Sequence, residues 1–325
     1  MASIGDVAKL AGVSRSTVSL VCNNKGYVSE ETRKKIERAM KELNYIPSEL
    51  GRNLKMQRSG IVGIIVPDIA HPFFSTFIKY AERELYSRGY KALVCGTAGR
   101  EDVEEAYLQM LDRRTMDGVI MGAHSLKKER YLKINRPIVT LDRYLADYIP
   151  TVHVDKRQVA EKAAGLFLER NRKKVVQLVS SHTIKNYEDE KEQVFRETLQ
   201  NNGCEVVDIS VGYNTFTAER YRDAVVRVFE ECSDMDGILG VDMAAIACLR
   251  EAQLRGRKVP EDLSIVSIDG TYITRMGPEI LTSLVQPVEG MAKKLVSMII
   301  LQIEGKQIEE VEAIFDVSIQ SGETC

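Results

Sequence analysis

Short apolar runs alternate with amphipathic stretches from residue 60 onward, and this alternation constrains the fold more than any other feature of the chain. The run Ile61–Val66 is continuous and rich in β-branched residues, which is typical of a strand buried on both faces. Similar runs, separated by helical patterns, recur at residues 92–95, 119–121, 175–179, 206–209, 237–241 and 264–268. Such alternation predicts parallel sheets covered by helices on both faces. The series restarts after Asp155, so we predict an α/β body with two similar lobes and a cleft between them.

The first 46 residues follow a different pattern, which predicts an all-α head of three short helices. A helical stripe of apolar residues ends at Gly12, which allows a tight turn, and Ser14 is placed to cap a second helix that runs to about Cys22. Ser29 is placed to cap a third helix. Helix, glycine-containing turn, helix is the arrangement that presents its second helix to the major groove of DNA. The alternative is three small helices that pack only on one another.

Charge is divided unevenly along the chain, which favours the DNA-binding interpretation of the head. Residues 1–58 hold eleven Lys or Arg against six Asp or Glu, a net charge of +5. The remaining residues hold 34 basic against 41 acidic side chains, a net charge of −7. A basic head on an acidic body is expected where one end meets phosphate and the other does not.

Composition limits the classes of protein that remain. No stretch approaches 18 uninterrupted apolar residues, and the N-terminus lacks a charged start followed by an apolar region, so we expect neither a membrane span nor a secretory signal. The six cysteines show no paired spacing. Unpaired thiols within apolar patterns are typical of a reducing compartment, so we expect a cytoplasmic protein.

Polar residues follow several predicted strands at the point where each strand ends. Asp68, Asp242 and Asp269 each follow a strand, and the pair Asp142-Arg143 follows another. Taken alone, each aspartate fits a helix cap or a turn former. Because the carboxyl ends of parallel strands gather at one edge, the set predicts a ligand site instead. Carboxylates accept hydrogen bonds and arginine donates them, which suits a polyol or a base with several polar atoms.

The sequence offers little support for catalysis. The four histidines lack paired metal-ligand spacing, and the chain contains no nucleophile elbow, no Walker loop and no glycine-rich dinucleotide motif after the first strand. We therefore expect no enzyme, no metal and no cofactor. Two alternatives remain to be tested: a solute-binding protein, which needs an export signal, and a sugar-processing or dinucleotide enzyme, which needs a nucleophile or a cofactor loop.

In both the helical head and the alternating body, the chain resembles the LacI/GalR family of bacterial transcription regulators, and the resemblance covers essentially its whole length. The resemblance in the head lies in residues 6–8, 11–14, 17–19, 23, 28–33 and 43–47. The resemblance in the body lies in residues 63–68, 72–74, 117–120, 139–143, 260–265, 269 and 281–287. It implies a helix-turn-helix domain at 1–46, a hinge helix or linker at 47–59, and a periplasmic-binding-protein-like body at 60–325 that binds an effector and dimerises.

The resemblance also implies a function. The chain is expected to be a sequence-specific DNA-binding regulator, a repressor, controlled by a sugar, a sugar derivative or a purine bound between the lobes. Its implied partners are a homodimer mate, a pseudo-palindromic double-stranded operator, the effector, and a protein co-effector of the kind that docks on the first lobe of some relatives. The last six residues contain no leucine heptads, so a dimer formed by first-lobe helices is expected rather than a tetramer.

Residue roles on DNA carry over from the family by position. The base-reading positions are Arg15, Ser16 and Leu20, and the backbone positions are Ser14, Thr17 and Asn23. Arginine suits a bidentate contact to guanine, whereas Leu20, where relatives commonly have a polar or basic residue, suits an apolar base edge. In the hinge, Leu54 is expected to wedge into the minor groove beside Lys55 when DNA is bound.

Residue roles in the effector site carry over in the same way. The resemblance places six residues around the effector: Asp68, Phe73, Arg143, Lys191, Asp242 and Asp269. More distant neighbours are His71, Phe74, Asp142, His182, Asn186, Tyr187 and Tyr272. Lys191 stands where many relatives have an arginine, and lysine cannot grip a ligand bidentately. The usual sugar anchor is therefore in question.

Overall fold

The computed structural model describes residues 2–23, 26–46, 58–179, 187–211 and 218–325. The chain divides into two compact units, Met1–Ser59 and Gly60–Cys325. Each unit is described separately below.

The first unit contains the three predicted helices. They are α1 (Ile4–Ala11), α2 (Arg15–Cys22) and α3 (Glu30–Glu42). Their facing sides bury a small core made of Val7, Ala8, Val18, Val21, Ile36 and Ala39. The buried positions of each helix lie three or four residues apart, so each helix is amphipathic, as the sequence pattern predicts.

Local hydrogen bonds set the ends of these helices. Ser3 and Asp6 form a reciprocal capping box at the start of α1, with 2.8 Å between the Ser3 backbone nitrogen and an Asp6 carboxylate oxygen. Gly12 ends α1 with φ 66°, a left-handed conformation that glycine adopts without steric cost. The hydroxyl of Ser14 accepts the Thr17 N–H at 3.1 Å and caps α2. The predictions for Gly12 and Ser14 are confirmed.

The second unit contains two six-stranded sheets. The first sheet consists of β1 (Ile61–Val66), β2 (Lys91–Gly96), β3 (Gly118–Met121), β4 (Ile138–Leu141), β5 (Thr151–Val154) and β11 (Glu312–Phe315). Its strand order is β11-β5-β4-β3-β1-β2, and every pair is parallel. The second sheet consists of β6 (Lys174–Val179), β7 (Glu205–Ser210), β8 (Gly237–Val241), β9 (Ser264–Asp269), β10 (Thr282–Val285) and β12 (Ser318–Gln320). Its strand order is β12-β10-β9-β8-β6-β7, with only β12 antiparallel.

Helices connect these strands. They are α4 (Pro72–Ser87), α5 (Glu101–Asp112), α6 (Lys128–Leu132), α7 (Lys156–Glu169), α8 (Tyr187–Asn201), α9 (Ala218–Glu231), α10 (Asp242–Leu254) and α11 (Val288–Glu304), with a 3-10 helix at Tyr272–Arg275. The predicted two-lobed α/β body is confirmed. Strand β1 is buried on both faces because helices cover both sides of its sheet.

The lobes are not two uninterrupted halves of the chain. This corrects the expectation that each lobe is built from one of two successive series of strands and helices. Helix α11 packs against α4, β3, β4 and β5, and β11 pairs with β5, so residues 288–315 return to the first lobe. The chain therefore crosses between the lobes three times: after β5, after β10 and after β11. Periodicity identifies a helix or a strand, but it does not identify the sheet that the element joins.

Several further observations bear on the class of protein. All six cysteines are free thiols. Among the described residues, no helix is both long and apolar enough to span a bilayer. The described parts of the chain also contain no cluster of three or more His, Cys, Asp or Glu side chains suited to a metal ion.

Candidate functional site

The outer face of α2 carries the three side chains predicted to read bases. Arg15 and Ser16 are exposed, and Leu20 is exposed over 38% of its surface. The Arg15 guanidinium lies across Gly5 of α1, where a Cβ atom would stand only 2.9 Å from Nη2. The opposite face of α2 is buried through Val18 and Val21, so the exposed face is held rigidly.

The residues predicted to contact the DNA backbone also fix the ends of α2. The Ser14 hydroxyl lies 2.6 Å from the Ser16 hydroxyl and 2.8 Å from the Thr17 hydroxyl. At the other end, the Asn23 amide donates to the Ser19 carbonyl oxygen at 2.7 Å. These polar groups therefore border the exposed face of α2 in a fixed arrangement. Leu54 and Lys55 of the predicted hinge lie outside the described residues.

Two aspartates predicted to bind the effector lie at the carboxyl ends of strands in opposite lobes. Asp68 follows β1, is half-buried, and accepts the Ala70 N–H at 2.8 Å. Asp269 ends β9, is 7% exposed, and accepts the Gln286 side-chain amide at 2.8 Å. Its φ of 98° lies in the left-handed region, which is strained for a residue with a side chain. Strain of this kind occurs at binding sites that orient a particular group.

The charges of both carboxylates act on the buried Tyr221 of α9. The side chain is 3% exposed, and burial raises the pKa of its hydroxyl, with further increases from the charges of Asp269 and then Asp68. Asp68 belongs to the first lobe, whereas Tyr221 and Asp269 belong to the second. The tyrosine therefore marks a point where groups from the two lobes approach each other in the cleft.

The carboxylate of Asp242 is hydrogen-bonded by groups of the protein itself. Asp242 is the first residue of α10, is 1% exposed, and accepts the Gly270 N–H at 3.1 Å and the Thr271 N–H at 2.7 Å. The Thr271 hydroxyl donates a third hydrogen bond at 2.6 Å. Burial raises the pKa of Asp242, and the hydrogen bonds from Thr271 and Gly270 oppose that rise. Asp242 therefore anchors the loop that follows Asp269.

The two phenylalanines at the start of α4 both pack in the main hydrophobic core. Phe73 is 6% exposed and belongs to the main hydrophobic core, whereas Phe74 is half-buried. Their rings meet edge to face at 5.4 Å between centroids. His71, which is 5% exposed, has a pKa lowered to about 4 by burial, against the opposite influence of Asp68. It is therefore neutral at physiological pH.

Arg143, on the loop after β4, lies near a buried polar group in the first lobe. The backbone carbonyl of Arg143 accepts hydroxyl hydrogen bonds from Thr140 and Thr151, at 2.6 and 3.1 Å, and these fix the loop. Nearby, the fully buried Glu104 carboxylate accepts the Ser125 N–H at 2.8 Å and a short hydrogen bond from the Tyr131 hydroxyl. Burial raises the pKa of Glu104, and the charge of Arg143 lowers it slightly. The charge of Arg143 thus acts on a buried carboxylate of the first lobe.

The remaining predicted neighbours lie in different surroundings. Asp142 pairs with the buried Lys156 at 2.8 Å, close to the first crossing between the lobes. Lys191 on α8 is 9% exposed, so it is not a solvated surface lysine. Tyr272 is 53% exposed in the 3-10 helix. His182, Asn186 and the side chain of Tyr187 lie outside the described residues.

Sequence reasoning missed three residues that the fold brings to the site. Gln286 contacts Asp269 from 17 positions away, and its place in the last matching motif was the available signal. Tyr221 gave no signal, because a tyrosine on the buried face of a helix is indistinguishable from a core residue. Glu104 gave none either, because acidic residues in the first turn of a helix are commonly explained by the helix dipole.

Comparisons with known proteins agree with this geometry. The family model "Bacterial regulatory proteins, lacI family" matches residues 3–48, and "Periplasmic binding protein-like domain" matches residues 164–325. A sucrose operon repressor of Streptococcus mutans is 33% identical over 325 residues, covering 100% of this chain and 99% of the relative. A ribose operon repressor of Halalkalibacterium halodurans is 33% identical and covers 95% of this chain and 92% of the relative. The solved Lac repressor dimer bound to operator and the anti-inducer ONPF has a TM-score of 0.84 at 22% identity, covering 99% of this chain and 98% of that one, which shows the shared fold.

The chain belongs to the LacI family of bacterial regulatory proteins. It is a DNA-binding transcriptional regulator controlled by a small effector, and it is not an enzyme. The predicted class is therefore confirmed, and both alternative classes are set aside by the match over the whole chain.

Proposed function

We propose that the chain represses a sugar-utilisation operon. In this proposal residues 1–46 read the operator and residues 47–59 form the hinge. Residues 60–325 bind the effector and dimerise, with the effector, a sugar or sugar derivative, between the lobes. The observation that carries the proposal is the exposed face of α2, where Arg15, Ser16 and Leu20 project from a helix fixed at both ends.

The charge of the head supports DNA binding. Residues 1–58 carry a net charge of +5, and neutralising phosphates with such charges supplies the sequence-independent part of the affinity. Arg15 supplies the sequence-dependent part by a bidentate contact with guanine, and Leu20 supplies an apolar contact with a base edge. Ser14, Thr17 and Asn23 hold the helix against the backbone, and Leu54 with Lys55 enters the minor groove.

The cleft supports a sugar as the effector. Asp68 and Asp269 accept hydrogen bonds from hydroxyl groups, and Arg143 and Lys191 donate hydrogen bonds to ring or hydroxyl oxygens. Relatives that are 33% identical repress sucrose and ribose operons. Phe73, predicted to offer a face to a sugar ring or a purine, lies in the core, so the proposed effector contacts are the polar ones.

We further propose a homodimer that acts in the cytoplasm, at the nucleoid, where bacterial DNA is found. In the first lobe, whose helices the resemblance implies for the interface, large side chains lie exposed beside and on α4, including Ile69 at 53% and Tyr86 at 75%. Exposed apolar groups of this kind are typical of surfaces that meet a partner. Sedimentation equilibrium would measure the mass in solution, and a protein co-effector would be sought by pull-down on the purified dimer.

Arg15→Ala tests the reading of DNA. We expect it to weaken binding to the selected operator by about 1–3 kcal/mol and to relax the preference at one base pair. Arg38→Ala on α3 is the matched control, since it removes the same charge from an exposed position outside α2. Fluorescence anisotropy on selected and scrambled duplexes measures both effects. Unchanged selectivity in Arg15→Ala would contradict the assignment.

Control by a sugar is tested by adding sucrose or ribose to the same assay, on DNA from upstream of the chain's own gene. One sugar should change the operator affinity without changing binding to scrambled DNA. Arg143→Gln should remove this response and leave the affinity without sugar intact, because Arg143 lies in the second compact unit and outside the DNA-reading head. If no sugar changes the operator affinity, the effector assignment fails.

A further inference from the structure

A cavity of about 580 Å³ opens beside Asp269. Its first wall is the N-terminal half of α4, with Thr76, Lys79 and Tyr80, and its second wall runs from Asp269 to Arg275. The segment that crosses from β10 into α11 closes the cavity between these two walls. This volume lies within the range of small-molecule sites, and both lobes contribute to it.

Positive charge exceeds negative charge around this cavity. Lys79 of the first lobe and Arg275 of the second are exposed, and neither forms an ion pair within the part of the chain that the structure describes. The acid Glu289 on the rim is already neutralised, because Arg83 lies 2.7 Å and Lys293 lies 2.8 Å from its carboxylate. Of the acidic side chains that line the cavity, only Asp269 then remains to oppose these two cations.

The start of α11 adds to this positive potential. The helix is 17 residues long, and no side chain caps its N-terminus, where Pro287 occupies the capping position. The backbone N–H groups of Glu289 and Gly290 have no acceptor among the described residues, and both residues line the cavity. Uncapped N–H groups at the positive end of a helix dipole are a common binding site for anions.

A buried acceptor lies at the inner end of the same cavity. Gln286 is 7% exposed, and its amide nitrogen donates to Asp269, but its amide oxygen has no hydrogen-bond partner among the described residues. An unsatisfied buried oxygen costs about 1–3 kcal/mol unless a donor reaches it. A ligand hydroxyl would satisfy it. The cavity thus offers acceptors at its inner end and donors with positive charge at its outer end.

We propose that this cavity receives the phosphate group of a phosphorylated sugar, whose hydroxyls reach Gln286 and Asp269. The inference rests on the proposed sugar-controlled function and names the class of effector more narrowly. A phosphate monoester carries close to two negative charges at neutral pH, which matches Lys79, Arg275 and the helix end. Because the two cations come from different lobes, the phosphate also links the lobes.

Matched ligand pairs test the proposal by isothermal titration calorimetry on the full chain. The pairs are sucrose with sucrose 6-phosphate and ribose with ribose 5-phosphate, with inorganic phosphate alone as a further probe. We expect one phosphate ester to bind at least tenfold more tightly than its parent sugar, and the difference to shrink as salt is raised from 50 to 500 mM. Inorganic phosphate alone should bind weakly, because it lacks the hydroxyls.

Variants locate the phosphate. Lys79→Gln and Arg275→Gln should each reduce the preference for the ester about fivefold and leave the affinity for the parent sugar within twofold. Lys127→Gln and Arg250→Gln are the matched controls, because both residues are exposed in the same lobes but do not line the cavity. If a sugar binds and its ester binds no better, the phosphate site is wrong and the proposed function stands. If no sugar or ester binds at all, the proposed function itself fails.

Discussion

The variant Asp242→Ala tests whether this carboxylate stabilises the fold or contacts the effector. Three hydrogen bonds converge on the Asp242 carboxylate from Gly270 and Thr271, and all three residues are buried. Removing the carboxylate leaves two backbone N–H groups buried without an acceptor, at about 1–3 kcal/mol each. Partial relaxation of the loop recovers some of this cost. We therefore expect Asp242→Ala to lower the free energy of unfolding by about 3 kcal/mol, a large share of a stability of about 5–15 kcal/mol.

Two further variants sharpen the test. Asp242→Asn keeps one acceptor oxygen and the side-chain volume, so we expect it to lose only about 1–2 kcal/mol. Asp68→Ala is the matched control, since this half-buried carboxylate accepts one N–H bond, from Ala70, and its removal should cost less than about 1 kcal/mol.

The measurement is urea unfolding of the full chain followed by far-UV circular dichroism, because the chain contains no tryptophan. The expected order of stability is wild type, then Asp68→Ala, then Asp242→Asn, then Asp242→Ala. The reasoning would be refuted if Asp242→Ala unfolded within 0.5 kcal/mol of wild type while losing the response to the effector. That result would assign the carboxylate to the ligand.

Two other predictions concern the same body. Gly270→Ala should lower the free energy of unfolding by about 2–4 kcal/mol, because φ is +59° and a Cβ would lie 2.7 Å from the Val285 backbone. Gly256→Ala is the control: its φ is +71° but its surroundings are open, so it should cost only about 1–2 kcal/mol. Equal losses of the two variants in urea unfolding would contradict the close contact between residue 270 and Val285. Glu104→Gln tests the raised pKa of the buried carboxyl. Because the pKa of Glu104 in the folded state lies above its ordinary value of 4.5, the wild type loses stability as the pH rises through and above 4.5. The stability of wild type relative to Glu104→Gln should therefore fall between pH 4 and pH 7, and parallel stability curves would show that burial does not disfavour the charge.

Local rules of sequence predicted much of this fold. Gly12 and Ser14 fix the turn between α1 and α2 through bonds to residues within four positions, so a short window of sequence contains the whole interaction. The strand Ile61–Val66 was predictable because burial on both faces requires a continuous apolar run. The return of residues 288–315 to the first lobe was not predictable, because packing between elements far apart in sequence decides it.

The candidate site was predicted in outline and not in detail. Asp68, Arg143, Asp242 and Asp269 lie at or just after strand ends, as predicted, because parallel strands bring their carboxyl ends to one edge of each sheet; their roles toward the effector stay predictions. Sequence did not distinguish a carboxylate that faces the cleft from one that anchors a loop. That distinction depends on the Gly270 and Thr271 N–H groups, which lie 28 and 29 residues from Asp242 in the chain.

The arrangement of Asp242 and Asp269 gives a physical route from the effector to the segment that crosses between the lobes. They follow neighbouring strands in register, and two buried carboxylates so placed are each stable only when donors compensate the charge. Thr271 and Gly270 compensate Asp242, whereas Gln286 compensates Asp269. Gln286 also lies on the segment that crosses from β10 into α11, between the lobes. A ligand that bonds to Gln286 therefore contacts the crossing segment directly, and a ligand that bonds to Asp269 contacts it through the Gln286 amide. Any difference in that contact between lobe arrangements shifts the populations of those arrangements.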